Sequence, residues 1–267
     1  MVFSKARLQT GHLEATNVGC SLSFDLEVDS DLLLQIAPVV VAVEQLALSS
    51  GTVRELPGAH GARLHVVSAP AGRLDVTYEA TTPARAHHGH PVPLDADVID
   101  ALRPSRYCPS DTLEPFAPVE LSGVDDIAGW VFERLAYVVG SSGPLDTALD
   151  TLLAGRGVCR DFAHLTIALC RASGIPARLV SVYAPGLAPM DFHAVAEVHT
   201  GDRWEVLDAT RLAPRSSLVR IATGRDAADT AFAMTLRGNV ELLRAEVHAV
   251  VDGDLPADDH VSPVLLP

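Results

Sequence analysis

Lysine is almost missing from this chain: among 267 residues only Lys5 is a lysine, and it lies in an N-terminal tail. That argues against catalysis through a lysine amine. Basic residues of both kinds number 20 against 34 acidic ones, a net charge of −14. Such a surface repels phosphate backbones, so neither nucleic acid nor an anionic membrane is an expected partner. Long apolar runs are missing too, since a membrane-spanning helix needs about 20 such residues. The longest candidate, residues 36–48, is broken by Pro38, Glu44 and Gln45, and its valines favour a strand. The N-terminal residues lack the apolar stretch of a secretory signal, so a cytoplasmic location is expected.

Cysteine is sparse and dispersed, at positions 20, 108, 159 and 170, with no CxxC. Cys159 and Cys170 fall on one predicted helix, about 16 Å apart at 1.5 Å per residue, too far to bridge. All four read as free thiols. Metal-ligand spacing is also missing. The cluster His87, His88 and His90 has no second His/Cys pair to support it, and adjacent histidines in a polar linker are usually solvated. No DxDxDG-like calcium loop occurs. Neither a metal nor a cofactor is expected.

What is present divides into two kinds of pattern. Residues 12–82 carry short runs of β character. Leu22, Phe24, Leu26 and Val28 alternate with polar residues, and further runs follow at 39–48, 63–67 and 73–80 between Gly-, Pro- and Ser-containing turns. Strands at this spacing suggest a sandwich or an open barrel, acting as scaffold or docking module. The Pro-rich stretch 81–93 marks the boundary. Beyond it Ile127, Trp130, Val131, Leu135 and Val138 have a helical period over 124–138, and 145–153 is a second short helix. A third, amphipathic helix carries Phe162, Leu165, Ala168, Leu169 and Ala172 and stops at Gly174 and Pro176. Strands follow at 177–183, 193–199 and 204–210, the last two joined by a turn at Gly201-Asp202.

Cys159 opens the third helix, where unpaired N–H groups and the macrodipole favour a thiolate and can hold an oxyanion. Gly155 and Gly157 just before it leave the thiol open to a substrate. Cys170, at the other end, is a core residue. If Thr200 pairs with Arg203, residues 193, 195, 208 and 210 share one sheet face, and His193 and Asp208 become neighbours. A base and its orienting carboxylate need that proximity. His164 points about 140° away from Cys159 around the helix. His199 sits near the hairpin tip. Asp161 is the rival carboxylate, though a negative charge in a first helical turn has a structural reason to be there. Asp191 and Glu197 are weaker rivals.

The segments GVCRDFAHL (157–165), DFHAVAEV (191–198) and WEVLDATRL (204–212) resemble the three catalytic blocks of the transglutaminase-like superfamily, in its bacterial branch of candidate cysteine proteases. IATGRDAADTAF (221–232) and VGCSLSFDLEV (18–28) resemble segments of the same branch. The resemblance implies an α+β fold: an N-terminal β-sandwich-like domain (1–90), a papain-like, transglutaminase-like core with the Cys helix on an antiparallel sheet (91–225), and a C-terminal segment (226–267). Within that segment 240–251 alternates like a strand returning to the β domain. It also implies Cys159 as nucleophile, His193 as general base and acid, and Asp208 as the residue that fixes the imidazole. The glutamine that papain-like enzymes place before the cysteine is missing from DTLLAGRGV (150–158), so the second oxyanion donor is open, with Tyr107, Trp130 and Tyr137 as candidates. The expected activity is thiol acyl chemistry on an amide or ester of a peptide-like substrate, ended by water. An amine acceptor, which would make an acyltransferase, and a non-catalytic binding module are the alternatives.

Overall fold

The computed structural model describes residues 15–84, 95–113, 115 and 123–267. The His87, His88 and His90 cluster lies outside these. Strand β1 (Thr16–Leu26) is followed by β2 (Ser30–Leu34), β3 (Val43–Leu48), β4 (Thr52–Pro57), β5 (Arg63–Ala69) and β6 (Gly72–Thr82). Short helices α1 (Asp95–Asp100) and α2 (Ser110–Leu113) precede α3 (Val124–Arg134), strand β7 (Ala136–Tyr137), α4 (Ala148–Ala154), β8 (Arg156–Gly157) and α5 (Cys159–Ala172). Then come β9 (Ala177–Tyr183), β10 (Phe192–His199), β11 (Trp204–Leu207), β12 (Val219–Gly224), α6 (Ala227–Thr230), β13 (Ala233–Arg237) and β14 (Val240–Val251). The fold is mixed α+β, as the sequence led us to expect.

Among the described residues two four-stranded sheets, ordered β14-β1-β6-β3 and β13-β2-β5-β4, face each other as a sandwich. The alternation in β1 explains the packing: Leu22, Phe24 and Leu26 point inward against Leu32, Leu34, Val67, Leu74 and Tyr78. Each such side chain contributes about 1.5–3 kcal/mol when removed from water. The last strand, β14, pairs antiparallel with β1 along its length. A third sheet, β11-β10-β9-β12, carries α5 on one face through Ala194, Ala196, Val198 and Leu179. Its other face, with Val180, Val182, Val195 and Val206, is covered by Leu187, Ala213, Leu218 and Leu266. Tyr183, Val219 and Ile221 of this sheet enter the sandwich core, and the Tyr183 hydroxyl donates to the Ile36 carbonyl at 2.7 Å.

Several elements depart from the sequence expectation. The strand expected from residue 39 starts at Val43, because the Val39 N–H is held by the Arg220 carbonyl of β12 at 3.1 Å. The helix expected to reach Val138 ends at Arg134, and Ala136 and Val138 donate instead to the carbonyls of Gly155 and Gly157, both at 3.0 Å. Helix α5 keeps the expected apolar stripe but is covered on its other side as well: every residue from Asp161 to Arg171 is buried. It lies between the third sheet and helices α2, α3 and α4, so both faces are covered. Thr166 and Arg171 find partners inside, Thr166 Oγ1 donating to the Phe162 carbonyl at 2.8 Å. Arg171 donates to the carbonyls of Ala101, Ala177 and Arg225.

Glu197 is a buried carboxylate clamped by two arginines. Arg178 reaches it at 2.8 Å and Arg220 closes the other side. Burial pushes its pKa up, but the two guanidinium groups outweigh that and hold it below the usual range. Removing one partner of such a cluster strands buried charge, which costs about 3–5 kcal/mol. Glu197→Ala is therefore expected to lower the urea midpoint by that equivalent, whereas an unchanged midpoint would show that water reaches both arginines.

Candidate active site

The start of α5 is built by its own preceding turn. Gly155 closes α4 in a left-handed conformation (φ 65°), its N–H donating to the Thr151 carbonyl at 2.9 Å. At Gly157 a side chain would collide with Asp161, whose carboxylate oxygen would lie 2.8 Å from the added carbon. That carboxylate accepts the Val158 N–H at 2.8 Å and an Arg160 N–H at 2.9 Å, and it is fully buried. Asp161 thus caps the helix that begins at Cys159 and has no free oxygen for an imidazole. Asp191 accepts from the backbone N–H of Phe192, and Glu197 is held by its arginines. These rival carboxylates are engaged elsewhere.

The expected hairpin register is the observed one. Thr200 N–H donates to the Arg203 carbonyl at 3.0 Å, His199 pairs with Trp204 and Ala196 with Leu207. The strand does not continue to Thr210, however. Asp208 Oδ1 accepts both the N–H and the hydroxyl of Thr210, at 2.9 and 2.7 Å, and Thr210 Oγ1 accepts from Leu212 N–H. This side-chain turn replaces the ladder bonds of the last residues. It turns the second oxygen, Oδ2, toward His193, which lies 2.9 Å away at Nε2. Both side chains are buried.

A carboxylate only accepts, so Nε2 carries the proton and donates it to Asp208. Burial opposes an imidazolium at His193. The charge and hydrogen bond of Asp208 outweigh it, the neighbouring Cys159 adds to them, and the pKa rises well above the ordinary value. Burial likewise opposes the Asp208 anion, and His193 with Thr210 overcomes it, holding the carboxyl below its usual range. His193 Nδ1 is buried with no hydrogen-bond partner. It is the ring atom left free for Cys159.

The remaining candidates separate clearly. His164 is buried on the far side of α5, stacked on Tyr107 at 5.2 Å, with Nε2 accepting the Ala227 N–H at 3.2 Å. Burial drives its pKa down to about 4, so it is neutral at pH 7. His199 packs edge-on against Trp204. The Tyr107 hydroxyl donates to the Pro144 carbonyl at 3.0 Å, and Trp130 packs in the helical core under Arg134. Tyr137 alone of the three aromatic candidates stands beside Cys159.

Cys20, Cys108 and Cys170 are buried, and burial pushes each thiol up to about 12. Cys159 is partly exposed. Iodoacetamide at pH 6 is therefore expected to label Cys159 alone in the folded protein, read by mass spectrometry of the digest. Equal, slow labelling of all four would contradict an accessible, activated Cys159.

A sequence profile described as the transglutaminase-like superfamily matches residues 112–209, a span that includes Cys159, His193 and Asp208. The crystal structure of a candidate cysteine protease from Cytophaga hutchinsonii is 32% identical and superposes with a TM-score of 0.85, covering 95% of this chain and 96% of that one. An uncharacterized protein of Mycobacterium leprae is 30% identical over 150 residues, 49% of this chain and 53% of its own length. An uncharacterized protein of Mycobacterium tuberculosis is 34% identical over 149 residues, 50% of this chain and 46% of its own length. The chain thus spans about half the length of the curated relatives it matches.

Proposed function

The chain belongs to the transglutaminase-like superfamily, and from that premise we propose that it is a thiol hydrolase acting on an amide or ester bond of a peptide-like substrate. Cys159 is the nucleophile, His193 moves the proton and Asp208 holds the imidazole. The observation that carries this reading is the 2.9 Å bond from His193 Nε2 to Asp208, which leaves the buried Nδ1 unpaired beside Cys159. In the forward step Nδ1 takes the thiol proton and sulfur attacks the carbonyl carbon. As the tetrahedral intermediate collapses, the imidazolium returns that proton to the departing amine or alcohol. Water then adds to the thioester, with His193 as base, and Cys159 is regenerated. Hydrolysis is preferred to transfer because water needs no second binding site. Four unbridged cysteines suit a reducing cytoplasm, which is the proposed compartment.

The test is a panel of amide and ester electrophiles with mass-spectrometric site mapping. A covalent acyl adduct on Cys159 that disappears in His193→Ala supports the reading. Added amines then separate the two fates of the thioester: faster product formation with amine incorporated would reassign the enzyme as a transferase. No adduct across the panel on folded protein would favour a binding module.

A further inference from the structure

We propose that Arg211 is a specificity-determining residue of this site, and that the substrate is acidic, carrying a carboxylate close to the bond attacked by Cys159. The proposal deepens the thiol-hydrolase reading and rests on it. Arg211 closes the turn that opens at the triad carboxylate, its N–H donating to the Asp208 carbonyl at 3.3 Å. The two ends of such a turn lie within about 7 Å of each other. One hydrogen bond beyond Asp208 stands His193, with its unpaired Nδ1. Arg211 is thus one turn from the triad, and it is exposed. Its backbone is left-handed, with φ 56°. Residues with a Cβ seldom take that conformation, which glycine takes freely, and such outliers gather at functional sites. An arginine kept there points to a use for its side chain.

The guanidinium lies over the face of Phe132, near the end of α3, its central carbon 4.1 Å from the ring centroid. Stacking occupies the flat face of the group and fixes its plane, while the N–H donors on its edge stay free. Among the described residues nothing takes them: Arg211 has no ion pair and its guanidinium donates no hydrogen bond. Its neighbours along the chain are engaged, Arg203 with Glu205 and Arg215 with Asp258. In a chain with 34 acidic residues against 20 basic ones, an exposed arginine without a carboxylate is charge left for a group outside the chain. Arg156, three residues before Cys159, and Arg134, two before β7, are exposed too, and neither pairs with a described carboxylate. Glu133 and Asp191 put negative charge on neighbouring segments, which directs an anion toward the free edge of Arg211. A carboxylate matches that edge, two oxygens accepting from two parallel N–H groups. Phe132 and Leu212, 40% and 36% exposed, offer apolar surface for the methylenes of a glutamate side chain.

The experiment measures kcat and KM for short peptidyl amides and esters made in Glu/Gln pairs, the pair moved through successive positions on both sides of the scissile bond. Glutamine matches glutamate in shape and lacks only the charge, so the ratio within a pair reports recognition of the carboxylate. Unmodified protein is compared with Arg211→Gly, whose glycine accepts the left-handed end of the Asp208 turn without strain. The expected result is one position at which the Glu peptide has a kcat/KM about 10-fold above its Gln partner. That is the low end for a charge-assisted hydrogen bond, because the guanidinium stays exposed. In Arg211→Gly the ratio should fall to about one, the loss lying in KM, since the contact is remote from the reacting carbonyl. Arg211→Lys keeps the charge without the planar fork and should recover only part of the ratio. No preference for glutamate at any position would overturn the assignment. So would a preference that survives in Arg211→Gly, or equal losses of kcat within each pair, which would make Arg211 a support of the Asp208 turn. Failure of the underlying reading is distinct: no peptide would acylate Cys159 in the unmodified protein, and the Arg211 assignment would fall with it.

Discussion

Cys159→Ala is expected to lower turnover by about 10⁶-fold, the scale set by removing a covalent nucleophile whose partners act as a unit. The fold should survive, because Cys159 is partly exposed at a helix end and outside the hydrophobic clusters. Surface changes of that kind stay within about 0.5 kcal/mol. The helix start does not depend on the thiol: Asp161 caps Val158 through its own carboxylate. Turnover and thermal unfolding measured side by side test both halves. His193→Ala should lose nearly as much activity, and the double variant little more than either single one. Additive losses would mean that sulfur and imidazole contribute separately, against a shared proton. Undiminished turnover in Cys159→Ala would end the thiol mechanism outright.

Much of this site was legible in the sequence, for physical reasons that can be named. The Gly201-Asp202 turn sets the hairpin register, and the observed pairing of His199 with Trp204 follows from it. Once the register is set, a period of two puts His193 on the same side as Val195 and Glu197. Gly174 and Pro176 mark the end of α5 because neither suits a continuing helix. What stayed hidden depends on tertiary partners. Strands β4 and β13 lie at a sheet edge with largely exposed side chains, so no apolar alternation marks them. Leu135 and Val138 continue the helical period of α3, yet the N–H groups beside them go to Gly155 and Gly157. The β7–β8 pair that seats Tyr137 is two residues long, too short for any periodic signal. Asp161 was ambiguous because a helix cap and a catalytic carboxylate look alike until the hydrogen bonds are known. The two-sided burial of α5 was hidden because His164 and Arg171 share a polar side of the helix, yet both are buried, His164 Nε2 accepting from the Ala227 N–H and Arg171 donating to backbone carbonyls.

Asp208→Asn should cost about 10⁴-fold in turnover near neutral pH, close to the loss known for a triad aspartate replaced by asparagine. The hydrogen bonds around Asp208 say why. Thr210 N–H is a fixed donor 2.9 Å from Oδ1, so the asparagine carbonyl oxygen must take that position. The amide NH₂ then occupies the site of Oδ2 and points its donors at His193 Nε2. Nε2 is forced to accept, and the imidazole proton moves to Nδ1, the atom that should receive the thiol proton. The charge is lost as well. His193 is fully buried, and without the Asp208 anion burial is the dominant influence, so its raised pKa should fall. The sign of the pH effect follows. Acylation that needs the imidazolium fails as pH rises through the His193 pKa, and a lower pKa brings that alkaline limb to lower pH. The kcat/KM profile of Asp208→Asn should therefore lose activity on its alkaline side first, with the limb displaced acidward from that of the unmodified protein. Asp208→Glu keeps the charge but misplaces it by one methylene, so it should recover the limb more than the rate. If Asp208→Asn retained both the rate and the limb, the orienting role would pass from Asp208 to solvent, and the buried bond to His193 would be purely structural.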